Sequence, residues 1–543
     1  MKKYMPVAAA IIIILQFFLH PAQLKGQEEN TAVGPEINIG IYSTIEGSGG
    51  YYFESSNFHG GFDAWANAYV NGKLGKNVSF FADIGVSLVS AERKDMGDYP
   101  FKIKDDITNP DFETATVKVY SQPLGYFPYT YNSAWGGFVF SLKKLSSASG
   151  ATIGWPDTPA IGFNLLSEIR GSAFNDFFHW SIGRTRHEAG SVIEGNGLAL
   201  NCTAQPFFGY DVQLNIRPWL QLYSVSGFLE YFSSDGIKKS AETFQNIFTL
   251  TMLTGRYKEY VQIDAGSSAV SPKRFELGYF FPLTFPLLYQ NFVGDFDNLT
   301  MFGNIKLQYP NIGFIWFSLF IDEVQFEKAF FTLDREMYAY QAGLQYLPNF
   351  ISSSLFTVSY TKIEPYCYTH QKTMVPWYNQ PMEQAYTNHG HGLGHYLPPN
   401  SDEVKILFDT KALPDLALKA QYQMIRHGAD YGLSMVDGSS YLSELQESAR
   451  STNPALRKFF LHDGAYQWLH IAKVGAAWNL SQLPFSLSLY GEVGAVISYF
   501  TNTNENANSG AAHPYSVIDT SEYPKSTGII VNLGVKISPQ KIK

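Results

Sequence analysis

The sequence predicts an all-β fold, a transmembrane antiparallel β-barrel, on three observations. A leader marks the chain for export, apolar and polar residues alternate with period two over long runs, and aromatic residues are as abundant as charged ones, at 16% each.

The leader comes first in the chain. Lys2 and Lys3 precede an apolar stretch over residues 5–19, and His20, Pro21, Ala22 and Gly26 lead out of it toward Glu28 and Glu29. A basic start, an apolar middle and a small-residue exit are the parts of a secretory signal. The apolar core is shorter than the ~20 residues a membrane helix requires. Residues 1–26 therefore read as a signal peptide, cut after Ala22 or Gly26, with no cysteine following to carry a lipid. Residues 27–543 are expected to form one barrel.

The alternation comes next. Over residues 78–88, Val78, Phe80, Ala82, Ile84, Val86 and Leu88 alternate with Ser79, Asp83, Gly85 and Ser87. Leu416, Leu418, Ala420, Tyr422 and Met424 likewise oppose Lys419, Gln421 and Gln423, and Phe485, Leu487, Leu489, Val493, Ala495 and Ile497 oppose Ser486, Ser488, Glu492 and Gly494. Side chains on a strand point to opposite faces in turn, so each run has one oily and one mostly polar face. The pattern recurs over 37–41, 62–70 and 529–537. Turn signals such as Asn71-Gly72, Ser234-Asp235-Gly236 and Pro310-Asn311 separate about 16 to 22 strand-like stretches. Helical periodicity is brief, near residues 441–450. Several runs match the ~9 to 11 residues of a membrane strand rather than the ~5 to 6 of an average soluble one. The last strand ends on Ile537 without the terminal aromatic common in bacterial outer-membrane barrels, and residues 538–543 follow it.

Composition agrees with a barrel. The charged share lies below the roughly one quarter of soluble domains, yet the mean hydropathy of −0.12 excludes a helical membrane bundle. Two faces averaged together give such a value. Trp65, Tyr69, Trp219, Tyr223 and Trp478, near strand ends, fit interfacial girdles. The net charge of −9 and the absence of a basic block exclude a nucleic-acid partner. Cys202 and Cys367 form neither a CxxC pair nor a disulfide framework.

Motifs carry a resemblance. Ile182-Gly183-Arg184-Thr185-Arg186-His187-Glu188-Ala189-Gly190 leads into Asn196-Gly197-Leu198-Ala199-Leu200-Asn201 and Ala204-Gln205-Pro206-Phe207. Pro286-Leu287-Leu288-Tyr289, Gly294-Asp295-Phe296-Asp297-Asn298 and Leu319-Phe320-Ile321-Asp322-Glu323 follow. Then come Tyr360-Thr361-Lys362-Ile363-Glu364-Pro365-Tyr366-Cys367-Tyr368-Thr369-His370, Tyr378-Asn379-Gln380-Pro381, Leu393-Gly394-His395, Asn400-Ser401-Asp402 and Arg426-His427-Gly428. In order and spacing, over about residues 175–500, these segments resemble the capsule assembly Wzi family in its Bacteroidetes form. One departure stands out: His187-Glu188-Ala189-Gly190 replaces the Trp-Trp-Gly-Pro-Gly of typical members.

The resemblance implies an outer-membrane barrel of about 18 strands (16–20) with short helical or plug-like elements in its loops. It also implies a monomeric lectin that binds or anchors capsular or other surface polysaccharide, with outer-membrane lipid around it. Polar lumen positions such as Lys419, Gln421 and Gln423 keep a passive porin open as the alternative. Candidate glycan contacts are Arg184, Arg186, His187, Trp377, Tyr378, Tyr386, His395 and Tyr396. Arginine offers multidentate donors to uronate carboxylates, and ring faces stack on sugars.

Each candidate has a structural reading too. Arg184 and Arg186, two apart on one strand, would share the lumen face, where they either bind an acidic glycan or pair with Glu188, Asp264 or Glu276. Trp377, Tyr378, Tyr386 and Tyr396 are either a sugar platform or a girdle. His389, His391 and His395 are spaced by Gly390, Gly392 and Gly394, which reads as a flexible loop with no acidic or sulfur ligand in the run, so no metal is expected there. Asp295, Asp297 and Asn298 miss the calcium-loop register. No cofactor is indicated. No G-x-S-x-G elbow, P-loop or H-E-x-x-H occurs, so no enzyme is expected.

Overall fold

The computed structural model describes residues 35–53, 57–89, 160–204, 206–229, 246–272, 276–294, 297–323, 337–348, 353–364, 384–388, 391–397, 401–428, 465–480, 483–502 and 525–538. Short pieces at 97–102, 114–119, 139–141, 351, 367–368, 370, 373–375 and 380–382 complete it. The expected signal peptide, Ser234-Asp235-Gly236 and residues 441–450 lie outside the described residues. So do Asp295, Trp377, Tyr378 and His389.

Eighteen antiparallel strands form the barrel. They are β1 (Glu36–Tyr52), β2 (Asn57–Leu74), β3 (Val78–Val89), β4 (Ala160–Ala173), β5 (Phe178–Thr185) and β6 (Phe207–Arg217). Next come β7 (Leu220–Phe228), β8 (Ile247–Tyr257), β9 (Val261–Ser271), β10 (Asn298–Tyr309), β11 (Gly313–Glu323) and β12 (Met337–Tyr346). The circuit ends with β13 (Ser354–Ile363), β14 (Ser401–Leu413), β15 (Leu416–Gly428), β16 (Ala465–Leu480), β17 (Ser486–Asn502) and β18 (Ser526–Ser538). Each strand pairs with its sequence neighbours, and β1 pairs with β18 from Ser43↔Ile537 to Tyr52↔Gly528. The ring is closed and has no edge, which is what hydrocarbon demands of a sheet.

Short turns alternate with long connections around the ring. One end carries tight turns, with Asn175, Asp176, Lys258 and Asn311 at positive φ; asparagine and aspartate tolerate that region better than most side chains. Pro310-Asn311 is a turn as expected. Asn71-Gly72 is not, because β2 runs through to Leu74 and the chain turns at Gly75, where φ is 73°. The other end carries the long loops, and β1 begins and β18 ends at the short-turn end. In barrels of this type the short turns face the periplasm and the long loops face outward.

The side-chain alternation sorts residues as expected. Ile39, Ile84, Ile263, Ile315, Val474 and Leu533 point outward and are exposed, while their strand neighbours face the lumen. An exterior of this kind is stable only in hydrocarbon. No described helix is long and apolar enough to cross a membrane. Three girdle expectations fail. Trp65 lies at 6% exposure on the same face as Asn67, whose amide bonds lumenal Asp83, and Tyr69 pairs with Asp83 in register, so these rings face inward. Tyr223 also faces inward, bonded to Asp211. Trp478 is outward and exposed, as a girdle ring should be.

Between β9 and β10 the chain folds against the outer wall. Here α1 (Leu277–Phe280) and α2 (Pro286–Val293) cover a stripe of outward hydroxyls. Ser226 and Thr249 donate to the Tyr279 carbonyl at 3.0 and 3.1 Å, Thr251 donates to Thr284 O at 2.8 Å, and Leu287 N–H donates to Ser267 at 3.3 Å. The strap turns Leu277, Phe281, Leu288 and Phe292 outward, all well exposed. Polar outward positions are thus hidden and replaced by apolar ones.

Candidate functional site in the barrel lumen

The described residues of two long loops fold into the lumen and lock together as a plug. The loops are residues 186–206, between β5 and β6, and residues 364–400, between β13 and β14. Ala189 and Leu200 bond each other's backbone, and Asn201 N–H donates to Leu393 O at 2.9 Å. Tyr368 OH donates to Leu198 O at 2.8 Å, and Asn388 donates to Pro206 O at 3.3 Å. Close contact needs small residues. A side chain at Gly394 would meet Leu198 O at 2.5 Å, and Gly190, at φ 70°, faces the Phe302 ring. The glycines around His395 that read as a flexible loop are, in the described part, sites of tight packing.

The plug is wedged by apolar contact. Leu198, Leu200, Tyr368, Tyr386, Leu393 and Leu397 join lumen-facing Phe207, Phe248, Phe302, Phe320 and Ile363 on one side. The same cluster continues to Ile425, Ile471, Val496 and Ile530 on β15–β18. Each large apolar side chain so buried stabilises by roughly 1.5–3 kcal/mol. The plug is thus held as a folded core and bridges the lumen between these walls.

The candidate residues fall into different places. Arg184 pairs in register with Ser167 beside exposed Ile182, so it lies on the outer face and donates to Leu165 O at 2.7 Å. This corrects the expectation of a shared lumen face: β5 ends at Thr185 and the chain turns inward, which separates the two arginines. Arg186 enters the plug and donates to the carbonyls of Cys202 and Ala204 at 3.3 and 3.2 Å. Burial lowers its pKa from the usual guanidinium range. Asp264, one of the suggested partners, is instead held by Thr254, Gln262 and Asn304.

His187 is a buttress. Its Nδ1 lies 3.0 Å from Asp211, which also accepts from Ser181 at 2.9 Å and from Tyr223, and its ring lies on Phe207. Tyr386 is fully buried, bonded to Ser268 at 2.8 Å and stacked near Tyr368, so its ring is core rather than a sugar platform. His395 is 2% exposed, with Nε2 3.0 Å from Asn196 Oδ1 and Nδ1 accepting from Leu397 N–H. Burial pulls its imidazole pKa down to about 3, so it stays neutral.

Tyr396 reaches a polar surface below the plug. Its hydroxyl donates to Glu403, accepts from Gln423 at 2.9 Å and lies 3.4 Å from Lys405 Nζ. Lys473 pairs with Glu492 at 3.2 Å, and Asn532 donates to Glu492 at 2.8 Å. Glu403 Oε1 and Asn532 Oδ1 are buried acceptors without a donor among the described residues. Planar amides, carboxylates and ammonium groups beside a tyrosine ring suit a ligand rich in hydroxyls. The signal for Glu403, Lys405, Lys473 and Asn532 was the alternation itself, since each is the polar member of a two-residue repeat.

One ligand-like cluster sits in the plug. Donor atoms of Glu188, Glu194 and Cys202 lie within 4.8 Å of one another. Burial first, and the two carboxylates second, push the Cys202 thiol up to about 11, and Glu188 already accepts from Gly195 N–H at 2.9 Å. A thiol held protonated is a poor metal ligand.

No protein-family profile and no curated protein matches this sequence. Solved structures do. Wzi of Escherichia coli, an outer-membrane protein involved in group 1 capsule assembly and described as a carbohydrate-binding β-barrel, is 9% identical with a TM-score of 0.44. The match covers 91% of this chain and 83% of that one. OccAB2 of Acinetobacter baumannii is 9% identical with a TM-score of 0.43, covering 92% and 98%. The outer membrane protein OpdK of Pseudomonas aeruginosa is 9% identical with a TM-score of 0.42, covering 92% and 99%. The likeness is one of barrels, and it does not choose among them.

Proposed function

We propose that this protein is a non-catalytic barrel of the bacterial outer membrane that binds surface polysaccharide, capsular or exopolysaccharide, and helps to anchor it. The observation that carries this reading is the plug. A diffusive pore needs a continuous water path, whereas here a folded apolar core is wedged between opposite walls of the lumen. The segments that resemble the capsule assembly family support it further. Those around Arg186, Leu198, Tyr368 and Leu393 meet one another in the plug, so their shared order follows from one packed unit. The polar surface around Tyr396, Glu403, Lys473 and Asn532 supplies the hydrogen-bonding groups a saccharide needs.

Two measurements test the reading. Purified barrel in planar bilayers is expected to give little or no steady current, and a large persistent conductance would favour the passive porin. Cells lacking the protein are expected to release polysaccharide that wild-type cells retain. Unchanged retention, together with no glycan binding by the purified barrel, would sink the proposal.

A further inference from the structure

The outer wall of β12–β17 carries a polar cluster where hydrocarbon or headgroups must lie. Register places Lys362, Asp402, Arg426, Trp468 and Tyr499 in one row across five strands, on the same face as exposed Tyr422 and Val474. Arg426 donates to Asp402 through both Nε, at 2.8 Å, and Nη2, and Tyr360 OH donates to the same carboxylate at 2.9 Å. The guanidinium lies 5.2 Å from the Trp468 ring centroid. Trp468, His470 and Tyr499 hold their ring planes within 15° of one another, and His470 bonds both Tyr422 and Tyr499. Lys362 pairs with Glu364 at 3.1 Å.

Height decides what this cluster meets. Arg426 stands about ten residues above the start of β15, and at ~3.3 Å per residue with a tilt near 40° that is roughly 25 Å, the height of the apolar band of such barrels. The cluster therefore sits at the outer headgroup level. Directly beneath it the wall is hollowed. A groove of about 570 Å³ runs between Ile406, Phe408, Tyr422 and Val474 over the small side chains of Ala420, Ala472 and Ala495.

The two parts belong together. The groove is apolar and suits an acyl chain. Among the described residues the cap above it sets two cations, Lys362 and Arg426, against two carboxylates, Glu364 and Asp402, so these leave no net charge for a phosphate; ring faces, phenol hydroxyls and an indole stand beside them. Ring faces with hydroxyl partners are what a pyranose needs. We infer that the outer wall of β14–β17 is a binding site for one glycolipid of the outer leaflet, its sugar against Trp468 and Tyr499 and an acyl chain in the groove over Ala472. Nothing in this inference requires the lumen, so it stands apart from the polysaccharide reading.

The test uses the full-length barrel in nanodiscs of phosphatidylethanolamine and phosphatidylglycerol, doped with a synthetic diacylglycerol disaccharide and analysed for retained lipid by native mass spectrometry. Wild type is expected to retain the glycolipid over phosphatidylglycerol by at least about fivefold, the scale of one aromatic contact. Trp468→Ala abolishes that preference, and Ala472→Phe, which fills the groove and leaves every polar contact in place, abolishes it too. Leu307→Ala, on the outer face of β10 and away from the groove, leaves it unchanged. Heat-modified gel mobility identifies folded barrel for each variant, and Trp468→Phe keeps most of the preference if Trp468→Ala does not fold. Equal retention of glycolipid and phospholipid by wild type, or full retention by Ala472→Phe, overturns the inference. Binding of soluble polysaccharide by Ala472→Phe barrel is expected to match wild type, which separates failure here from failure of the lumen reading.

Discussion

The outer wall breaks the rule of apolar exteriors twice, and the protein treats the two breaks differently. On β7–β9, Ser226, Thr249, Thr251 and Ser267 face outward, and the chain covers them with its own α1–α2 strap. On β13–β17, Tyr360, Asp402, Arg426 and His470 face outward, and among the described residues they satisfy one another instead. Hydroxyl groups need only an acceptor and can be hidden under a backbone. Charged groups need a wet boundary, so the second cluster lies at the headgroup level, with Asp402 buried and Trp468, His470 and Tyr499 half-exposed among the described residues. A self-covered stripe is structural, whereas a cap whose rings stay half-exposed among the described residues, above an apolar groove, can take a ligand.

That contrast can be broken at the strap first. Tyr279 is 1% exposed, and its hydroxyl donates to Asp297 at 2.6 Å. Tyr279→Ala is expected to destabilise the barrel by about 3–5 kcal/mol, as a buried aromatic truncation does, measured by urea unfolding in lipid vesicles. A change below about 1 kcal/mol would mean that the strap does not hold the wall.

The plug, covered from inside, gives the next effect. The unfolded chain binds a proton at His395 near pH ~6.5, while the folded chain refuses it until about pH 3. Stability from neutral His395 is thus complete above the unfolded value and falls by a few kcal/mol as pH drops through that window. His395→Gln should flatten this part of a pH–stability curve, and an unchanged curve would show that the imidazole is not buried.

At the outer-wall cap the effects are smaller. Arg426→Gln leaves the Asp402 carboxylate, 1% exposed, without its cation and is expected to cost about 1–3 kcal/mol. Adding Asp402→Asn should recover most of that loss, and unfolding of the two variants side by side checks it. Last, Ser226→Ala removes one strap hydrogen bond and should cost about 0.5–1.5 kcal/mol. A larger loss there than at Tyr279 would invert the comparison.

Much of the fold was legible in single residues. Val78 to Leu88 and Leu416 to Met424 announce their faces because side-chain direction on a strand has period two whatever the neighbours are. The plug was legible only as motif order. Leu198, Tyr368 and Leu393 look like ordinary loop residues until the ring brings segments some 170 positions apart into hydrogen-bond range. Arg184 and Arg186 misled because same-face spacing holds only while the strand lasts, and β5 stops between them. Trp65 and Tyr69 misled because an aromatic at a strand end is equally at home on either face.

By itself, then, the sequence determined that this chain is a membrane barrel and which residues of each strand face the same way, since alternation is a local property. Only the tertiary structure decided that Trp65 and Tyr69 face inward and Arg184 outward, that Tyr386 and His395 are core rather than contacts, and that Asp402, Arg426 and Trp468 meet above a groove. Those facts depend on closure of the ring and on strand register, and no window of sequence contains either.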